Sequence, residues 1–149
     1  MPTDPAGPPG PVLIGRKELV DFPEWGLRHV RVKVDTGAHT SALDADCEIV
    51  GAGGRNVARL RLALYRRRPG KVAVVEAPLL GWVTVCNSGG CREQRPVVEA
   101  LVRLGPVEKR IRLTVANRAA MRYPVILGRE ALAGSFLVDV SRSYVQRGR

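Results

Sequence analysis

The sequence predicts an all-β, barrel-like domain with one short helix near its C-terminal end. Two observations carry that prediction. Most apolar residues fall in short alternating runs of strand length, and glycine or proline closes nearly every run. Against this series of strands stands a single short segment with helical character, Glu130 to Ala133.

The elements follow in order. Val12-Leu13-Ile14 is an apolar run closed by Gly15, and Val30-Arg31-Val32-Lys33-Val34 alternates apolar with basic as a half-buried strand does. That second strand leads directly into Asp35-Thr36-Gly37-Ala38. Ser41 to Val50 reads as extended, Gly51-Ala52-Gly53-Gly54 as a turn, and Val57 to Leu64 as the returning strand. Lys71 to Val85 favours β structure but contains Pro78 and Gly81. It is therefore expected to form an edge, a bulge or two short strands, not one central strand. Asn87-Ser88-Gly89-Gly90 is a turn, and Val97 to Leu104 pairs with Arg110 to Val115 across Gly105-Pro106. Pro124 to Arg129 is a buried strand ending at Gly128, and Phe136-Leu137-Val138 adds a terminal strand after Gly134.

A chain of 149 residues with 45% hydrophobic content supports one domain with a real core. Residues 1–11, rich in proline and glycine, are expected to be a disordered tail, and residues 12–149 the domain. The tail has neither the basic start nor the apolar stretch of a secretory signal, and no later run approaches membrane-spanning length. Three cysteines, Cys47, Cys86 and Cys91, are too few and odd in number for a disulfide scaffold, so a cytoplasmic location with reduced thiols is expected. The net charge of +10 favours acidic partners. Nucleic acid is disfavoured among them, because the local basic run, Arg66-Arg67-Arg68, has no aromatic residues alternating with it and reads as a solvated hairpin end.

Asp35 is the residue with the clearest chemical demand. Hydrolysing an amide with water needs a base for the water and an acid for the carbonyl oxygen or leaving nitrogen. Two carboxylates sharing one proton supply both, because like charges at that distance do not both ionise cheaply. One such carboxylate per chain requires a homodimer. Gly37 permits a sharp turn under the carboxylate, Ala38 leaves room for substrate, and the Thr36 hydroxyl is suited to holding two such loops in register.

No metal or other cofactor is expected. His29 and His39 are the two histidines, neither has a partner at helical spacing, and no His-Glu-x-x-His segment occurs. Cys86 and Cys91 offer two thiolates across a glycine turn, with His39 and Cys47 as the remaining soft donors, which reads better as thiols on a hairpin. Gly51-Ala52-Gly53-Gly54 lacks the lysine and following helix of a phosphate loop.

An apolar strand entering Asp-Thr-Gly-Ala, followed later by Ile126-Leu127-Gly128-Arg129, resembles the retroviral-type aspartic proteases. More closely, the chain resembles a bacterial family labelled ATP-dependent zinc protease and linked to RimK-type glutamate ligases. The matching segments are Ile14-Gly15-Arg16, Lys33 to Ala38, Thr40 to Leu43, Ser88-Gly89-Gly90, Arg92 to Arg95, Asn117-Arg118, Leu127-Gly128-Arg129 and Phe136 to Asp139.

That resemblance implies a closed retropepsin-like barrel with a flap hairpin, active as a homodimer, and an aspartic-type peptidase activity on acidic or glutamylated protein tails. It implies Asp35 as catalytic carboxylate supported by Thr36 and Gly37, and Gly128 and Arg129 as structural residues beside the site. Substrate contacts are implied for Ala38, Ser88, Gly89 and Gly90, and the placement and charge of Arg92 and Arg95 suit them to substrate carboxylates. A RimK-type ligase is the implied protein partner. In the family pattern a His usually stands at Cys91 and an Asp often precedes Ser88, where this chain has Cys86-Asn87. His39 follows Ala38 where the retroviral enzymes have a substrate-contacting Asp, so Arg129 lacks that carboxylate partner, leaving Asp44 or Asp46 as candidates. The alternative reading, favoured by Cys91, is a catalytically silent retropepsin-like module that binds an acidic peptide or a ligase. A thiol enzyme using Cys91 is weaker, since no His lies near it in sequence.

Overall fold

A computed structural model describes residues 10–64, 72–86, 89–116 and 123–146. Most of the expected N-terminal tail, the Arg66-Arg67-Arg68 run, Asn87, Ser88 and the Asn117-Arg118 pair lie outside the described residues.

The chain is mostly β, with ten strands, one short α-helix and a 3-10 turn at Pro23–Trp25 among the described residues. β1 (Val12–Gly15) pairs in parallel with β10 (Phe136–Asp139) as a separate two-stranded sheet. The remaining strands are β2 (Lys17–Phe22), β3 (Leu27–Val34), β4 (Ser41–Ala52), β5 (Arg55–Ala63), β6 (Val72–Cys86), β7 (Arg92–Leu104), β8 (Val107–Ala116) and β9 (Val125–Leu127). They form an eight-stranded sheet in the order β2-β3-β9-β4-β5-β6-β7-β8. Two further pairings, β4 with β8 and β2 with β7, join strands that stand apart in that order. The helix α1 (Arg129–Leu132) follows β9.

Alternation builds this architecture as elementary strand geometry requires. In β5 the buried residues are Ala58, Leu60 and Leu62, with Arg59 and Arg61 exposed between them. Val30, Val32 and Val34 of β3 enter the same core as Leu43, Val98, Leu113, Val125 and Leu127. Gly53 and Gly54, both with positive φ, make the β4–β5 turn that the sequence predicts.

Two elements add to the sequence reading, the first having the expected bulge but remaining one strand. β6 is one continuous strand in the interior of the sheet, between β5 and β7. It tolerates Pro78 because it changes partners there: β5 pairs with Val72 to Pro78, β7 takes over from Leu79, and a bulge falls between Leu79 and Gly81. The second is β2, which the apolar pattern does not reveal, because Glu18 and Asp21 occupy buried positions in it. Asp21 is accounted for locally, its Oδ1 accepting the His29 N–H at 2.9 Å. No helix among the described residues is long and apolar enough to cross a membrane.

Candidate active site

β9 lies between β3 and β4, parallel to the first and antiparallel to the second. The strand that leads into Asp35 and the strand that leaves the turn are thus held apart by a third, which comes from far along the chain. Asp35 itself is half-buried, and its N–H donates to the Leu127 carbonyl at 2.9 Å. The turn closes through Ala38 N–H to the Asp35 carbonyl at 3.2 Å, and the Gly37 N–H donates to Asp35 Oδ1 at 3.0 Å. That last bond orients the carboxylate.

Residues after β9 clamp the turn from the other side. The Arg129 and Glu130 N–H groups donate to the carbonyls of Ala38 and His39 at 2.8 and 2.9 Å. The Gly128 N–H donates to the buried Ser41 hydroxyl at 3.0 Å. Arg129 Nη1 donates to the Thr36 carbonyl at 3.1 Å, so the acceptor found for this arginine is a backbone oxygen of the Asp-Thr-Gly turn, in place of the expected carboxylate of Asp44 or Asp46. A Cβ at Gly128 would stand 2.4 Å from the Thr40 carbonyl oxygen and 2.9 Å from that of Ala38. Glycine is required here by backbone proximity. We expect Gly128→Ala to displace the 36–41 segment and destabilise the fold by about 1–3 kcal/mol, the usual cost of overpacking, measured by denaturant unfolding. Wild-type stability in this variant would show that the two backbones are not held this close.

Asp35 opens into a cavity of about 350 Å³ whose other walls include Ala38, Thr40, Ala42, Ile126, Thr114, Val83, Val85 and Arg95. A second cavity of about 270 Å³ shares Thr40, Val83 and Thr114 with it and extends to Leu80, Trp82 and Val97. Together they make one groove between the Asp35 turn and the long β6–β7 hairpin. At its far end Arg112 grips Glu130 through two bonds of 3.1 Å, and His39 Nε2 lies 3.9 Å from Glu130 Oε2.

The structure brings Asp35, Ala38 and Arg95 to one cavity. The Arg95 side chain is only 13% exposed, with Nη2 3.4 Å from Glu93 Oε2. Its buried Nε–H has no hydrogen-bond partner among the described residues. Arg92 does not join it: it pairs with Cys86 at the end of the hairpin, is exposed, and lines neither cavity. Gly89 and Gly90 are exposed at the hairpin tip, Gly90 with φ of 80°. Thr36 and Gly37 are exposed on the turn, and Gly128 and Arg129 stand beside it. Sequence reasoning missed Ile126, Ala42, Thr114, Arg112 and Glu130 as groove residues. For the four strand residues the available signal was alternation, since each sits between two buried neighbours; Glu130, in the helix beside exposed Arg129, gave no such signal.

Cys86 and Cys91 are exposed and Cys47 is half-buried, and no disulfide joins any of the three. Among the described residues no three His, Cys, Asp or Glu side chains are grouped as a metal site. Burial pushes the Cys47 thiol up from its ordinary range, which lowers its thiolate fraction at neutral pH. Iodoacetamide at neutral pH is therefore expected to alkylate Cys86 and Cys91 well before Cys47, read by peptide mass mapping over time; equal rates would contradict the burial of Cys47.

Comparison with known proteins places these features in a family. The model of the RimB-like family, described as retropepsin-like aspartic endopeptidase RimB, matches residues 13–149. A protein of Parasynechococcus marenigrum (strain WH8102) named probable alpha-L-glutamate ligase is 33% identical over 135 residues, which cover 89% of this chain and 29% of that protein. A protein of the same name from Shewanella pealeana is 29% identical with the same coverage. The chain thus spans about 29% of the length of these curated relatives. Among solved structures, protein Lpg0085 of Legionella pneumophila, of unknown function, superposes with a TM-score of 0.75 at 25% identity, covering 91% of this chain and 98% of that one. With Asp35-Thr36-Gly37 seated on β9 and the family model spanning the chain from Leu13 onward, the chain belongs to the RimB-like family of retropepsin-like aspartic endopeptidases.

Proposed function

We propose that this chain is an aspartic-type peptidase that works as a homodimer, each protomer contributing one Asp35, and that it hydrolyses peptide bonds in acidic or glutamylated protein tails. The observation that carries the proposal is the half-buried Asp35 carboxylate, fixed by the Gly37 N–H and opening into a groove wide enough for side chains. One carboxylate takes a proton from water as the water oxygen attacks the scissile carbonyl, and the other gives its proton to the carbonyl oxygen. Collapse of the resulting tetrahedral species breaks the C–N bond and leaves the proton on the departing nitrogen.

The second copy is supported by surface chemistry. Thr36 and Gly37 are exposed beside the carboxylate, and Leu13 and Leu137, cross-strand partners in β1 and β10, are 40% and 59% exposed. Val140, the residue after β10, is 69% exposed, and its carbonyl accepts a bond from Arg16, whose own carbonyl accepts the N–H of Val34 just before Asp35. An apolar surface beside the catalytic turn suits self-association. In this reading the β6–β7 hairpin closes over the substrate as a flap in a barrel-like body, with Gly89 and Gly90 at its tip and Arg95 facing the cleft. The relatives named as glutamate ligases carry a segment like this chain within a longer protein, which supports a glutamylated substrate and a RimK-type ligase as partner.

The test is hydrolysis of glutamate-extended and generic peptides by the purified full chain, across acid to neutral pH, with and without chelator. Cleavage that survives chelator and disappears in Asp35→Asn is the expected result. Chelator-sensitive cleavage persisting in Asp35→Asn would overturn the aspartic assignment, and a silent wild type would leave the chain a binding module.

A further inference from the structure

The floor of the groove is a single row of side chains running across the sheet. Val97 pairs with Thr114, Thr114 with Ala42, Ala42 with Ile126, Ile126 with Lys33, and Lys33 with Lys17. Direct cross-strand neighbours project from the same face of a sheet. The burial pattern agrees: each of these residues is half-buried or exposed, whereas Val32, Leu43, Leu113, Val98 and Val125, next to them in sequence, are buried in the core. Thr114, Ala42 and Ile126 line the Asp35 cavity, and Thr114 and Val97 line the second one. The row therefore sets the direction of the groove.

Beyond Ile126 that direction continues onto two lysines. At a strand spacing of about 4.8 Å, Lys33 lies about 5 Å and Lys17 about 10 Å further along the row. Arg31, two residues before Lys33 in the same strand, shares this face. The Tyr123 ring, 5.3 Å from the Arg31 guanidinium and 6.0 Å from the Lys17 ammonium, lies against both. Lys17 and Lys33 form no ion pair with a carboxylate among the described residues, whereas Arg103, Arg110 and Arg112 each hold a glutamate. The charges of Lys17 and Lys33 at this end of the groove are available to a ligand.

We infer that Lys33 and Lys17 form an acidic subsite, binding the carboxylate side chains of an extended peptide segment that lies in the groove next to Asp35. This inference rests on the reading of the groove as a peptide cleft, and adds which end of it selects for charge. The opposite end, lined by Leu80, Trp82 and Val97, carries the apolar surface. Arg95 presents its charge from the hairpin above the floor, with Glu93 taking part of it. Selection by Lys33 and Lys17 thus acts from the floor, independently of the hairpin.

Binding separates this inference from catalysis. A fluorescent oligo-glutamate peptide is titrated at low salt against the full-length Asp35→Asn chain, followed by anisotropy. Adding Lys17→Gln and Lys33→Gln is expected to raise Kd at least about tenfold and to flatten its salt dependence. Arg59→Gln with Arg61→Gln removes the same charge from exposed positions on β5 that line neither cavity, and is expected to leave Kd within about twofold. An unchanged Kd in the lysine variant overturns the subsite. So does an equal loss in the β5 control, which would assign binding to the overall +10 charge, or failure of the peptide to bind the Asp35→Asn chain at all. If the wild type cleaves nothing yet the lysine variant alone loses binding, the peptidase reading fails and the subsite stands.

Discussion

Mixing wild-type and Asp35→Asn chains in equal amounts, under conditions that allow subunit exchange, is expected to give about a quarter of the activity of wild type alone at the same total chain concentration. Random pairing leaves that fraction of dimers with two aspartates. A dimer with one Asp and one Asn lacks the pair of groups that must exchange roles as base and acid, because a carboxamide neither takes the water proton nor carries one to the carbonyl oxygen. The Asp35→Asn homodimer is expected to lose at least about 10³-fold in kcat. Asn retains an oxygen able to accept the 3.0 Å bond from the Gly37 N–H, so the turn keeps its shape and the loss reports chemistry. Activity at about a half in the equal mixture would mean that each chain carries a complete site, and the shared dyad would be wrong.

That experiment follows from Asp35-Thr36-Gly37-Ala38 read together with Ile126-Leu127-Gly128-Arg129, since the turn motif alone reads equally well as a polar turn after a strand. Strands were legible where one face meets water: β3 and β5 show their alternation, and Gly53-Gly54 and Gly105-Pro106 announce their hairpins. What stayed hidden depends on partners distant in the chain. β6 runs through Pro78 because the ladder changes from β5 to β7 there, which no local pattern reveals. β9 is legible as a buried strand, but its position between β3 and β4, which makes the Asp35 turn, is not. Arg129 illustrates the same limit. With His39 where the retroviral enzymes have an Asp, the sequence offers Asp44 or Asp46 as its carboxylate partner, while the structure gives it the Thr36 carbonyl.

The groove shows why site residues without a motif are hard to read. Thr114, Ala42 and Ile126 are unremarkable apart from alternating with core residues, and only the register of four strands places them in one row with Lys33. Basic residues are scattered along the whole chain, so charge alone does not single out two lysines. The ion pairs do. Arg112 is engaged with Glu130 and Arg95 with Glu93, which sorts the cations of the groove into those already paired and those facing solvent.

Glu18 is the residue whose loss is expected to cost the fold most. It is fully buried, and its Oε2 accepts the N–H of Gly15 at 2.7 Å and of Val145 at 2.9 Å, while Oε1 accepts that of Gln146 at 3.1 Å. Two of these donors come from the far end of the chain, so one side chain ties the C-terminal segment to the strands beside the site. Neighbouring bonds complete the tie: Arg16 N–H to the Arg142 carbonyl at 2.8 Å, Tyr144 N–H to the Lys17 carbonyl at 2.8 Å, and Val34 N–H to the Arg16 carbonyl at 2.9 Å. Glu18→Ala leaves three N–H groups without their acceptor and opens a void, for an expected loss of about 3–5 kcal/mol. Glu18→Gln keeps the shape and one acceptor oxygen but turns an NH₂ toward a backbone N–H, for about 1–3 kcal/mol. Denaturant unfolding gives the order Ala worse than Gln. Amide exchange should show Val145 and Gln146 losing protection while Leu60 and Leu113, in the core strands, keep theirs relative to global stability. If both variants unfold within about 0.5 kcal/mol of wild type, Glu18 does not hold the C-terminal segment, and the path from that segment through Arg16 to Val34 and Asp35 carries no weight in positioning the site.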